Sequence, residues 1–230
     1  MNSPDLPARL AEVRKEIARR QAAGGWSHPV TIVAVTKGFG IDAVRAAHAA
    51  GLAAVGENRV QEALAKMAEW PDAPLAWHLV GHLQRNKAKQ AVGRFALIHS
   101  VDDAALGLEL DKRAAAANTT VRCLLQVNVA REAQKSGCPP EEARPLARQL
   151  GSLPHLKLGG LMTIAPLTAD QGVLRGVFRG LRELRDQIRG DGVQAPDLSM
   201  GMSGDFGLAV EEGATLVRLG TALFGNRPNG

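Results

Sequence analysis

The sequence predicts an α/β fold: a single-domain (β/α)8 TIM barrel with an extra N-terminal helix. Three observations lead there. Short apolar runs alternate with helical patterns along the whole chain, the mark of βαβ units and a parallel sheet. Eight such runs can be counted, each followed by a helix or a short connection. The chain has 230 residues, and the roughly 200 left after the leading helix match the lower size limit of a closed barrel. An open doubly wound sheet is the alternative. No G-x-G-x-x-G follows the first strand, so the dinucleotide-binding version of that sheet has no fingerprint here.

The elements follow in order. Residues 1–24 read as the leading helix, with Leu6, Leu10, Val13 and Ile17 at helical spacing and charges between them. The patch "GGWSHP" (24–29) joins it to the first strand, "VTIVAV" (30–35). The remaining strands are "AAVGE" (53–57), "WHLVG" (77–81), "ALIHS" (96–100), "VRCLLQVNV" (121–129), "LKLGGLM" (156–162), "DLSMG" (197–201) and "TLVRLG" (215–220). Helical stretches lie between them at 41–50, 60–70, 84–92, 102–117, 141–150, 170–189 and 205–213. Their starts carry acidic or small polar residues, as in "SVDDAALGLEL". No linker or low-complexity segment interrupts the pattern, so residues 1–230 are read as one domain.

Composition excludes several classes. With 45% hydrophobic and 22% charged residues, the chain has the content of an ordinary folded domain. The net charge of +5 would attract phosphates, but the arginines of "LRGVFRGLRELRDQIRG" (174–190) are interleaved with acids over a helix face. There are no tyrosines, three tryptophans and five phenylalanines, too few stacking platforms for single-stranded nucleic acid. Cys123 sits in an apolar run and Cys138 in a loop, which suggests neither a disulfide framework nor a metal site. The N-terminus lacks a signal peptide's apolar core, and no stretch has the apolar length of a membrane span. A cytoplasmic protein with no nucleic-acid or membrane partner is expected.

In a barrel, function collects where the strands end. Lys37 follows the first strand, in "VAVTKGF". An isolated lysine there snorkels to the rim, or it is a Schiff-base lysine whose partial burial favours the neutral amine. After the seventh strand, "GMSGDF" places Ser203 at the opening of a short helix. After the eighth, Gly220 and Thr221 open another. Unpaired N–H groups and the helix dipole favour an anion at such ends, and two adjacent ones form a phosphate cradle where barrels commonly have one. Strands 1 and 8 are neighbours in a closed barrel. A lysine facing a phosphate site fits a phosphorylated aldehyde, and pyridoxal 5'-phosphate is the common cofactor with that pair of groups. Arg218, two residues before Gly220, either pairs with a strand-end acid such as Glu57 or lies at the pyridine nitrogen. There a permanently charged guanidinium would keep the nitrogen unprotonated and the ring a poor electron sink.

The motifs "VAVTKGF", "VGENRVQEALAK", "WHLVGHLQRNK", "SVD", "QVNVAREAQKSG", "GLMTIAP" and "LSMGMSGDFGLAVEEGATLVRLGTALFGNR" together resemble the pyridoxal phosphate homeostasis proteins, the YggS or PLPBP family. The resemblance runs over about residues 30–227. It implies a fold-type III barrel similar to the N-terminal domain of alanine racemase, without that enzyme's second domain. It also implies pyridoxal 5'-phosphate held as an aldimine on Lys37, its phosphate held by Ser203, Gly220 and Thr221, and Arg218 facing the ring nitrogen. Asn58 and His78 would lie near the cofactor, and Met200 would pack on the ring, whereas Met162 reads as core. Two departures are visible: Arg59 stands where an aromatic residue is expected, and Gly204 where an acid is often found.

A two-base racemase needs a second acid or base opposite the lysine, supplied in the related racemases by a tyrosine. This chain has none. The expectation is therefore a monomeric carrier that buffers pyridoxal phosphate and exchanges it with free amino acids and with apo-enzymes that depend on it. An amino-acid racemase or decarboxylase is the alternative, and a cofactor-free Schiff-base aldolase a third reading. Lys135, in "AQKSG", is either a transient second amine or a solvated lysine.

Overall fold

The structure is a computed structural model and describes residues 5–226; the first four residues of the expected 1–24 helix and both ends of the expected 1–230 domain, including Arg227, lie outside the described residues. Eight parallel strands form a closed barrel in the order β1 to β8: β1 Thr31–Val35, β2 Ala54–Glu57, β3 Ala76–Leu79, β4 Leu97–Val101, β5 Val121–Gln126, β6 Leu156–Met162, β7 Asp197–Met202 and β8 Leu216–Leu219. The helices are α1 Leu6–Gly24, α2 Ile41–Ala49, α3 Val60–Glu69, α4 Ala88–Ala91, α5 Ala104–Ala116, α6 Pro140–Gly151, α7 Gln171–Gly190, α8 Phe206–Glu211 and α9 Thr221–Phe224. The helix expected over 84–92 is a 3₁₀ turn, Arg85–Lys87, running into the single turn of α4.

Strand period sorts the core into two shells. Residues such as Ile32, Ala34, Leu79, Ile98, Leu125, Leu161, Val217 and Leu219 face the helices and form the large outer core. Alternate residues Val33, Ala54, Val80, Leu97, Leu124, Met162 and Leu216 fill the barrel interior as a separate apolar cluster. Met162 is thus core, as expected. Leu6, Leu10, Val13 and Ile17 of α1 are all buried, and α1 packs on α8 and α9, the two helices that follow β7 and β8. Arg175 of α7 pairs with Glu211 of α8, and Arg182 with the next residue, Glu212, so these cations are structural. Both cysteines are free and buried, and burial pushes each thiol up to about 12. Among the described residues no His, Cys, Asp or Glu cluster could hold a metal, and no helix is long and apolar enough to cross a membrane.

The fifth strand ends at Gln126 rather than 129. Val127 N still donates to Met162 O of β6 and the residue forms an isolated bridge with Cys138, while Asn128 folds its side chain onto the following loop, with Oδ1 accepting from Glu132 N and Nδ2 donating to Glu132 O. The asparagine's local hydrogen bonds outcompete the ladder.

Two glycines re-aim strands. On β6, the register against β5 slips after Cys123, and Gly160 has φ +154° with room for no Cβ, which would lie 2.1 Å from Asp197 O. On β7, Gly201 has φ +91°, and the register against β8 slips between Ser199 and Met202, as at a bulge. Gly160→Ala should force β6 away from β7 and destabilise the fold by about 2–4 kcal/mol; urea unfolding with an unchanged midpoint would contradict this packing.

Candidate functional site

A cavity of about 270 Å³ opens at the strand C-terminal mouth, lined by residues of β1, β7 and β8 and by residues that follow β1, β2, β3, β6, β7 and β8. Its position follows from barrel closure. β1 pairs with β8 with Val33 opposite Arg218 and Ala34 opposite Leu219, so the chain leaving β1 runs beside the chain leaving β8. Lys37, Asn58, Ser203, Arg218, Gly220 and Thr221 all line the cavity, with Val35, Phe39, Val80, Ile164 and Met202 as its apolar walls.

Lys37 is presented by a tight turn. Phe39 N donates to Thr36 O at 3.1 Å, and Gly38 has φ +75°. Glycine in the third position of a four-residue turn is what type II geometry requires, and it leaves Lys37 half-buried at the second position. The lysine therefore ends a strand without continuing it: the buried run stops at Thr36 and the next residue is turned over the mouth.

Across the mouth, Ser203 Oγ accepts from Gly220 N at 3.2 Å and from Ala222 N at 3.1 Å. One hydroxyl thus ties the loop after β7 to the first turn of α9, and the N–H groups and dipole of that turn give the corner a positive character. Gly204 has open space where a Cβ would stand, so backbone is exposed beside the serine.

Arg218 supplies the fixed charge. It is fully inside the barrel, and burial lowers it to about 10, which keeps it protonated at neutral pH. Nη1 donates to Ser199 Oγ at 2.7 Å and Nη2 to Thr163 O at 2.8 Å. The sequence alternative of a pair with Glu57 is overturned: Glu57 instead meets Lys66 Nζ at 2.5 Å and Thr36 Oγ1 at 2.5 Å. Asp205 is the acid that offsets Arg218 at longer range.

Two expected cofactor residues lie elsewhere. Met200 is completely buried in the outer core; because the chain bulges at Gly201, the methionine at the mouth is Met202. His78 is buried inside the barrel and does not line the cavity. Its Nδ1 lies 3.0 Å from His99 Nε2, and His99 Nδ1 lies 2.8 Å from Ser199 Oγ. With Arg218 donating to Ser199, the order that uses every proton is Ser199 O–H to His99 Nδ1 and His99 Nε2–H to His78 Nδ1. His78 thus reaches Arg218 through two side chains. Lys135 is also off the cavity lining, paired with Glu132 and donating to Ala165 O at 2.9 Å.

The donor set matches a small ring carrying an aldehyde and an anionic tail: a primary amine on β1's turn, a hydroxyl and helix N–H groups on the β7 and β8 loops, a guanidinium between them and apolar walls for the ring. Fold and site together define a single parallel barrel that presents a lysine opposite an anion corner. The alanine racemase N-terminal domain family matches residues 9–228. A pyridoxal phosphate homeostasis protein of Pseudomonas aeruginosa is 44% identical over 223 residues, covering 97% of this chain and 95% of its own length. The structure of PipY of Synechococcus elongatus with PLP bound is 40% identical at a TM-score of 0.85, over 96% of this chain and all of that one. An alanine racemase of Clostridium difficile, 14% identical, shares the fold at a TM-score of 0.78, and this chain spans 57% of its length. The chain belongs to the pyridoxal phosphate homeostasis protein family, within the alanine racemase N-terminal domain family.

Burial makes the histidine pair a pH-sensitive element of the fold. Burial pushes His78 down to about 4 and His99 well below the ordinary range, with Arg218 adding to the effect on His99. Both stay neutral when folded and take up protons when unfolded. Stability from His78 is thus fully present above about pH 6.5 and declines as pH falls toward 4, by on the order of 3 kcal/mol. Urea unfolding from pH 7 to pH 4.5 should show this loss, and His78→Gln should flatten the slope; equal slopes in both proteins would contradict the assignment.

Proposed function

We propose that the chain binds pyridoxal 5'-phosphate in the mouth cavity and acts as a carrier that buffers and releases it within the cytoplasm. The observation that carries this reading is the facing of Lys37 and the Ser203–Gly220–Thr221 corner across the β1–β8 seam. The cofactor would supply an electrophilic aldehyde carbon, and Lys37 is the residue whose amine would hold it there. Ser203 and the N–H groups at the start of α9 hold the phosphate, which carries the negative charge the corner favours. Arg218, held by Ser199 Oγ and Thr163 O and charged at neutral pH, would hold the ring nitrogen as a hydrogen-bond donor and leave it unprotonated.

Two features favour carrier over catalyst. Lys37 is the one ordinary acid–base group among the described residues lining the cavity, since Arg218 stays charged, and proton exchange on both faces of a substrate needs two. Cys123 and Cys138 offer no second group, because burial pushes both thiols up to about 12. An unprotonated ring nitrogen also weakens carbanion stabilisation. The carrier exchanges its cargo with free amino acids and with apo-enzymes by amine attack at the same carbon, leaving Lys37 as the free amine.

The test is direct. Mixed with pyridoxal phosphate, the purified chain should turn yellow, borohydride should fix the adduct, and peptide mapping should find it on Lys37. Lys37→Ala should remain colourless, and label on another lysine would overturn the reading. Sustained exchange of an amino acid's α-proton for deuterium would replace the carrier by the racemase. Ser203→Ala removes a hydroxyl from the phosphate corner and should weaken binding roughly tenfold, about 1–1.5 kcal/mol, measured by titrating the colour.

A further inference from the structure

Beneath the Lys37 turn lies a buried ionic cluster that no part of the proposed cargo touches. Glu57, the last residue of β2, is completely buried, and Lys66 of α3 is nearly so. Lys66 Nζ donates to Glu57 Oε1 at 2.5 Å and to Thr36 O at 2.8 Å. Thr36 Oγ1 donates to the same Glu57 oxygen at 2.5 Å. Glu57 Oε2 is buried with no hydrogen-bond partner. Neither Glu57 nor Lys66 lines the cavity.

An ammonium and a carboxylate taken out of water in this way, with one oxygen left unsatisfied, are a poor means of stabilising a fold; apolar residues of similar volume would serve as well or better. What distinguishes this pair is where it grips. Thr36 O is the carbonyl that closes the type II turn by accepting from Phe39 N, and Lys37 is the second residue of that turn. Lys66 donates to the same oxygen, and Glu57 holds the side chain of the same residue. The side-chain hydrogen bonds that leave the Glu57–Lys66 pair land on the residue immediately before Lys37.

We infer that Glu57 and Lys66 are positioning residues for Lys37: they clamp Thr36 so that the turn presents the lysine amine at the reacting distance and angle. This rests on the reading of Lys37 as the amine that bonds the aldehyde. The role is orientation, so removing the clamp slows bond formation while the phosphate corner and ring walls still bind.

The experiment separates these effects with two probes on the full chain. Pyridoxal phosphate reads the rate of colour formation. Pyridoxine phosphate, which has an alcohol in place of the aldehyde, reads the grip alone through competition or calorimetry. Lys66→Met leaves Glu57 buried and unpaired and risks misfolding, so the deciding protein is the double variant Glu57→Gln, Lys66→Met, which removes both charges at nearly constant volume. Thr36→Val deletes the hydroxyl, and Thr36→Ser keeps it. The inference expects colour formation slowed tenfold to a hundredfold in the double variant, slower in Thr36→Val, and close to the parent in Thr36→Ser, with pyridoxine phosphate affinity within about twofold throughout. A folded double variant that colours at the parent rate overturns it. So does parallel loss of colour rate and pyridoxine phosphate affinity, which would show a general role in shaping the cavity. If the parent chain itself forms no borohydride-fixed adduct on Lys37, it is the functional reading that fails, whatever the variants do.

Discussion

The hydrogen-bonded pairing of β1 with β8 is the constraint from which the site follows. Those strands are separated by most of the chain, and nothing local brings them together; closing the sheet removes two exposed edges at once. Once Val33 lies opposite Arg218, the turn that leaves β1 and the glycine that leaves β8 share a rim. The lysine and the anion corner are then set at a distance fixed by strand spacing, which is far stiffer than any loop. A slip of one residue in this register would turn Arg218 out of the barrel and into the helix layer. The closing pair is therefore both the last step of the architecture and the first condition for the chemistry.

Inside the barrel the sequence separates a polar series from the apolar filling. The filling includes Val33, Leu97, Leu124, Met162 and Leu216, ordinary packing for a barrel interior. Beside it lie Arg218, Ser199, His99 and His78, all buried and joined in one hydrogen-bonded series. Burying a guanidinium without a touching carboxylate is costly, and the structure meets that cost with neutral acceptors: a hydroxyl oriented by a histidine, and the Thr163 carbonyl. A carboxylate there would have neutralised the charge facing the cavity. The neutral partners keep the arginine in place and leave its charge outward, the arrangement a ring nitrogen needs if it is to remain unprotonated. Departures from the usual rules of burial thus cluster at the mouth, where function and not stability sets the requirement.

Much of this is legible in the sequence, because a barrel of buried parallel strands writes its order in apolar runs. The strands fall within a few residues of their expected places, and six of the eight expected cofactor residues line one cavity. Met200, expected at the ring from the resemblance, lies in the outer core, and the Gly201 bulge turns Met202 toward the mouth instead. A methionine beside a bulge glycine cannot be assigned a face from spacing alone. His78, expected near the cofactor from the resemblance, is buried inside the barrel against His99 and does not line the cavity, a partnership that spacing does not reveal. Glu57 carries no signal for its partner at all, since a lysine on an amphipathic helix ordinarily extends its ammonium to water. Only packing shows that Lys66 turns inward to Thr36.

The two grips on the cavity sit on different elements, and that separation bears on what kind of protein this is. The anion corner belongs to the loops after β7 and β8 and is tied together by Ser203. The amine belongs to a turn after β1 that is braced from beneath by β2 and α3. Bond formation at one grip and retention at the other can therefore vary independently. A carrier needs this: cargo must be held firmly enough to be kept from stray amines, yet the covalent attachment must be reversible by a competing amine without the tail leaving first. A catalyst needs something further, a second proton-transfer group on the far side of the ring. The apolar residues that line the cavity, Val35, Phe39, Val80, Ile164 and Met202, surround it with hydrocarbon. They can exclude water and stack, but none can take or return a proton, and a wall of that kind is suited to holding a ring still.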